Sequence, residues 1–322
     1  MTPLETNDDL RRRDFLRLLT GAAAAAGTLQ VGLETARSDS DLGEPTKFQI
    51  ACMTLPYSRF PLRRALTGIQ GAGFEFVAWG VSHQEGEGKE RTPVLREDAP
   101  LADAKSLARQ CRDMGLSPVM MFSTVYPERE NGLELLTHRI RQASAAEIPQ
   151  VLTFGHTEGG GRDLWIERLK KLGPIASDHG VMLVIKQHGG DTGTGQACAE
   201  IVREVDEPNI RVNYDAGNVM DYLNVDPIPD IGKCADVVHS FCIKDHRNWP
   251  VDQDCGPGLG EIDHYRLLHP VARTGRLMPL CCENIFAPLM PQPQRPEELD
   301  KLAERARIFL ETVVAGLKQV NS

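Results

Sequence analysis

Between residues 48 and 282 the chain repeats one alternation eight times: a short apolar run closed by glycine, proline or polar residues, then a stretch with helical spacing. The runs fall at 48–53, 74–79, 119–123, 151–154, 181–185, 210–214, 237–243 and 277–282. Between them, Leu101, Ala104, Leu107, Ala108 and Cys111 fall at spacings of three and four, and Leu164 is followed by Ile166, Leu169, Leu172 and Ile175, the last four at steps of three. Gly115 and Gly180 stand just past these two helices, where a left-handed residue ends a helix. A last helix opens at Pro296-Glu297-Glu298 and runs through Leu302, Ile308, Phe309, Val313 and Leu317. Helical crossovers make the strands parallel, and eight units predict an α/β fold closed as a (β/α)8 TIM barrel. After the first run stands Thr54-Leu55-Pro56-Tyr57 in place of a glycine-rich dinucleotide fingerprint, so no nucleotide cofactor is expected.

A chain of 322 residues with 41% hydrophobic content can bury one enzyme-sized core. Its formal charge is −9, and no Lys/Arg-rich stretch follows residue 17, which removes the footprint that nucleic acid requires. The eight cysteines, at 52, 111, 198, 234, 242, 255, 281 and 282, lack the C-x-x-C pairs of a zinc ribbon and read as buried small hydrophobes.

Residues 1–45 stand apart from this pattern. Arg11-Arg12-Arg13-Asp14-Phe15-Leu16-Arg17, then Leu18-Leu19-Thr20-Gly21 and the alanines 22–26, resemble a twin-arginine export signal. The expectation is a signal peptide and linker over 1–45, read by the twin-arginine export machinery, and a catalytic barrel over 46–322, periplasmic or extracellular. The apolar stretch is too short and too weakly apolar for a stable membrane span.

In a (β/α)8 barrel, chemistry sits where strands end and the following loops begin. His156 follows the fourth run, Lys186 and His188 the fifth, Asp215 and Asn218 the sixth, Lys244, Asp245 and His246 the seventh, and Glu283 the eighth. Side chains alternate along a strand, so Lys186 shares a face with His188, Cys242 with Lys244, and Asn213 with Asp215. Each has a plainer reading. A lone histidine is most often a hydrogen-bonded structural residue, and Asp215 can serve as a turn former with Gly217 taking the unusual backbone angles. The segment Pro257-Gly258-Leu259-Gly260-Glu261-Ile262-Asp263 can equally be a glycine hinge.

Taken in order, Gly180-Val181 through His188-Gly189-Gly190, Asp215-Ala216-Gly217-Asn218, Ile243-Lys244-Asp245, the 257–263 segment and Glu283 resemble the xylose isomerase-like TIM barrels, the sugar phosphate isomerase/epimerase family. That resemblance covers roughly residues 47 to 317. It implies a divalent metal held by Glu, Asp, His and Glu from the last four strands, with the glutamates moving the proton. Asp215 and Glu283 match the second and fourth ligands, whereas the first falls on Lys186 and the third on Cys242. Two arrangements stay open. His188 and Cys242 complete a Mn- or Zn-binding set with Asp215 and Glu283, or the Lys186 ammonium supplies the charge that a metal supplies in the family.

The expected activity is proton abstraction next to the carbonyl of a sugar or keto-sugar, giving isomerisation, epimerisation or elimination. Lys186 and Glu283 would be catalytic, and His156, His188, Asn218, Lys244 and Asp245 would bind hydroxyl groups. The alternative is a catalytically silent barrel that binds a saccharide by stacking on Trp79, Trp165 or Trp249. A metal-dependent nuclease is disfavoured, because a multi-metal His/Glu array is absent and the charge is wrong.

Overall fold

Eight parallel strands close on themselves in a computed structural model that describes residues 43–319, apart from Glu87, Lys89 and 157–160. The expected export signal falls on residues outside the described ones. The strands are β1 Lys47–Met53, β2 Phe76–Trp79, β3 Ser117–Phe122, β4 Gln150–Thr153, β5 Met182–Lys186, β6 Ile210–Tyr214, β7 Val238–Ile243 and β8 Leu277–Cys282. Each pairs with its neighbour in sequence, and β1 closes the ring against β8 from Lys47 opposite Leu277 to Cys52 opposite Cys282. Helices α1 Leu62–Gly71, α2 Leu101–Asp113, α3 Gly132–Ala145, α4 Arg162–Asp178, α5 Gly195–Val205, α6 Ala216–Leu223, α7 Pro227–Ile231, α8 His264–Leu268 and α9 Pro296–Gln319 follow in chain order. Two hairpins decorate the loops, Ser82–His83 with Thr92–Pro93 and Asp245–Arg247 with Gln253–Cys255. No helix among the described residues is long and apolar enough to cross a membrane.

Strand parity divides the core in two. Ala51, Ala78, Met120, Leu152, Val184, Cys242 and Cys281 pack inside the barrel, while Cys52, Val77, Met121, Val151, Leu183, Val212, Phe241 and Cys282 face the helices. The expected strand bounds hold to within two residues. The turns after α2 and α4 place Gly115 at φ +80° and Gly180 at φ +63°, a conformation that costs glycine nothing.

The last helix buries Leu317 and half-buries Leu302, Phe309 and Val313 against the core as expected, but the centre of its buried stripe is a different set of residues. Leu299, Ala303, Ala306, Leu310, Val314 and Leu317 are buried at steps of three and four, whereas Ile308 lies off that stripe and is exposed. Two small alanines let α9 approach the barrel, a role that hydrophobic size alone does not reveal. Of the three tryptophans, Trp79 and Trp165 are buried in the core and offer no face to a saccharide; only Trp249 is exposed.

Candidate active site

Inward parity carries four strand ends to one point at the C-terminal mouth. Lys186 continues the inward row of Val184, Asp215 that of Asn213, Lys244 that of Cys242, and Glu283 that of Cys281. Lys186 Nζ donates to both carboxylate oxygens of Glu283, each at 2.7 Å. Asp215 Oδ2 lies 2.8 Å from the same nitrogen as a charge contact without hydrogen-bond geometry. The lysine is 2% exposed and Asp215 not at all, while the Phe122 ring lies 5.6 Å from the ammonium. Burial opposes the charge on Lys186, but the Asp215 and Glu283 carboxylates outweigh it and hold the ammonium well above the ordinary lysine pKa.

Asp215 works in two directions. Its Oδ1 accepts from the Asn218 backbone N–H at 2.9 Å and so caps α6, while its Oδ2 faces Lys186. Gln187, pointing opposite to Lys186, accepts from the Asp215 N–H at 2.7 Å, and its own carbonyl receives Asn218 Nδ2 at 2.6 Å. Lys244 reaches Asn218 Oδ1 at 2.5 Å, Asp254 Oδ2 at 2.8 Å and Asp215 Oδ2 at 3.8 Å. Burial opposes its charge too, and the surrounding carboxylates again raise its pKa. Gly217 has ordinary helical geometry; what it supplies is space, since a Cβ there would lie 2.6 Å from Lys244 Cε. The unusual backbone angles expected at Gly217 are therefore not present.

The remaining expected residues lie around this centre. His188 packs against Phe154 at 4.4 Å between ring centroids, with Nδ1 at 3.2 Å from the Gly155 carbonyl. Burial, then the Lys186 charge, lower its pKa and favour a neutral ring. His156 is exposed on the loop after β4, 2.7 Å from Glu128 Oε1 and stacked on Tyr126. Asp245 is fully buried, and its carboxylate accepts backbone N–H groups of His246, Gly258 and Ile262 at 2.9–3.0 Å. Those bonds fold the 257–263 segment against the mouth and turn the Asp245 carboxylate toward backbone.

Above the ion-paired centre opens a cleft of about 500 Å³. Its walls include Glu283, Asn284, Lys244 and Asp254, with Arg59 and Arg91 also on the lining. Asp254 was missed by the strand-end reading because it sits in the hairpin after β7; the D-x-D alternation at 252 and 254 is the trace it leaves in sequence. Lys186 is not among the lining residues and acts from beneath the cleft.

Carboxylate oxygens of Asp215 and Glu283 and the sulfur of Cys242 lie within 4.8 Å of one another, the separation a bound metal ion needs. The chemistry of the set does not fit one. The Lys186 ammonium contacts both carboxylates, and burial, despite the pull of that ammonium, pushes the Cys242 thiol well above its usual pKa. A cation placed there would meet a positive charge and a protonated thiol. His188 is not part of the group, its ring being turned to Phe154 and Gly155.

A closed parallel barrel with its polar groups gathered at the C-terminal mouth defines the TIM-barrel class. Within that class the chain belongs to the xylose isomerase-like TIM barrel family, whose sequence profile matches residues 68–308. Among solved structures, a xylose isomerase-like TIM barrel protein from Mycobacterium smegmatis in complex with magnesium shares 17% identity at a TM-score of 0.63, covering 85% of this chain and 98% of its own. L-ribulose 3-epimerase matches at 15% identity and a TM-score of 0.62, over 84% of this chain and 95% of its own. D-psicose 3-epimerase, solved with D-fructose, matches at 12% identity and 0.61, over 83% and 99%. A search of curated proteins finds no match.

Proposed function

We propose that this barrel is an isomerase- or epimerase-like enzyme acting by proton abstraction next to the carbonyl of a sugar or keto-sugar. The observation that carries the reading is that one carboxylate and one ammonium, Glu283 and Lys244, line the same cleft, with the buried Lys186 gripping the carboxylate. Glu283 takes the proton from the carbon beside the carbonyl. The Lys244 ammonium, donating a hydrogen bond, stabilises the negative charge that develops on the carbonyl oxygen. The enediolate then takes a proton from solvent on the opposite face, which gives epimerisation; or takes the Glu283 proton at the neighbouring carbon while the hydroxyl proton passes between the two oxygens, which gives isomerisation; or expels a β-linked alkoxide that takes up the Glu283 proton, which gives elimination.

Lys186 has a different part from Lys244. Its charge is directed onto Asp215 and Glu283, so it orients the base and supplies the fixed positive charge for which the family resemblance implies a metal. The epimerase structures support the substrate class through a shared fold, and the double-arginine leader supports export by the twin-arginine route to the periplasm or beyond.

The test is deuterium uptake from heavy water into a panel of ketoses and 3-keto-glycosides, followed by NMR. Exchange at the carbon next to the carbonyl is expected for at least one sugar, and Glu283→Gln should lower its rate by roughly 10²–10⁴-fold. Saccharide binding with no exchange across the panel would replace this reading with the silent saccharide-binding barrel.

A further inference from the structure

A second group of ligand-type side chains stands outside the ion-paired centre. Asp221 on α6, His246 on the first strand of the hairpin after β7, and Asp252 just before its second strand bring one ring nitrogen and two carboxylate oxygens within 4.8 Å of one another. The acids are exposed and the histidine is fully buried.

The histidine is the informative member. His246 Nδ1 lies 3.0 Å from Asp254 Oδ1, and since an ionised carboxylate only accepts, Nδ1 carries a proton. Burial opposes a charge on the ring, but Asp254, Asp221 and Asp252 outweigh it and raise its pKa, so Nε2 is the nitrogen at which these acids draw in a second proton or a cation. Nε2 has no hydrogen-bond partner among the described residues; Asp252 Oδ1 is 3.2 Å away but outside hydrogen-bond geometry. Two carboxylates facing one buried ring nitrogen concentrate negative potential there, and a cation bound at Nε2 in place of a proton relieves it.

We propose that Asp221, His246 Nε2 and Asp252 form a binding site for a divalent cation of the zinc or manganese class. One imidazole and two carboxylates form a mixed nitrogen and oxygen set suited to these ions, and two carboxylates offset a double positive charge. Asp254 orients the imidazole as an outer carboxylate does in carboxylate–histidine–metal arrangements. The exposed acids give the ion a route from solvent and leave positions for water. Asp254 also ties this site to the cleft, because its other oxygen lies 2.8 Å from Lys244 Nζ. The proposal stands independently of the reaction assigned above.

Calorimetric titration of the chelator-stripped chain with zinc chloride, and separately with manganese chloride, tests it. At least one of the two ions should bind at one equivalent. The double variant Asp221→Asn, Asp252→Asn should weaken binding by about tenfold or more. Asp254→Asn should weaken it by about 10–100-fold although it is not a ligand, a result that a loose patch of surface acids would not produce. Cys242→Ser should leave it unchanged. Both ligand aspartates are on the surface, so a matching thermal transition establishes that the double variant is folded. No binding of either ion to the parent, or binding lost in Cys242→Ser and kept in the double variant, would overturn the assignment.

Discussion

Removing the Lys186 ammonium would leave Asp215 and Glu283 facing one position with their counter-charge gone. Lys186→Met keeps most of the aliphatic stem, so the expected cost is electrostatic, about 3–5 kcal/mol at pH 7. Denaturant melts of both proteins at pH 7 provide the measurement, and an unchanged midpoint would count against the ion-pair account. Lys186→Glu places a third carboxylate at the same point and should bind Mn2+ or Zn2+ more tightly than the parent there, read by calorimetry in an Asp221→Asn, Asp252→Asn background that silences the second site. Lys186, Asp215, Lys244 and Glu283 could be picked from sequence because strand ends and side-chain alternation together fix where they point. Which lysine borders the cleft could not, since that depends on cleft depth: Lys244 lines it and Lys186 does not.

At the level of elements, the alternation of runs and helices was enough to define eight strands, because a buried strand needs a continuous apolar stretch wherever it lies. The two hairpins left no comparable mark, being two or three residues long per strand and held by turn geometry. The junction of β6 and α6 shows how tightly these elements meet. Gly217→Ala would drive a methyl group into the Lys244 stem and should cost about 1–3 kcal/mol while displacing that ammonium from the cleft wall. Turnover should fall further than stability, which a paired melt and exchange assay would reveal. At the opposite end of the barrel, His239 on β7 accepts a hydrogen bond from Arg276, and burial followed by the Arg276 charge lowers its pKa to about 3. The unfolded chain takes this proton near pH 6.5 and the folded one only near 3, so stability falls as pH drops through that interval. His239→Gln removes the difference and should recover up to about 3 kcal/mol at pH 4 relative to pH 7. A stability profile as steep as the parent's would exclude this residue as the cause.

For the molecule as a whole, the export reading rests on an arginine pair recognised as arginine and not as positive charge alone. Arg12→Lys combined with Arg13→Lys should leave the precursor in the cytoplasm, followed by fractionation and immunoblot. An unchanged periplasmic yield would remove the twin-arginine route.

All eight cysteine thiols are buried and unpaired. They are spread over the barrel strands, over α2, α5 and the hairpin after β7, with Cys234 just past α7. The molecule therefore contains its own timer of opening. A thiol reagent cannot reach any sulfur until the segment around it parts, so each cysteine acquires its label at the rate at which that part of the barrel opens. Mass spectrometry after pulses of alkylation should show Cys255, at the hairpin, modified well before Cys52, Cys281 and Cys282 in the strands. Reductant should alter neither the order nor the refolding yield, because no disulfide has to form for the barrel to close.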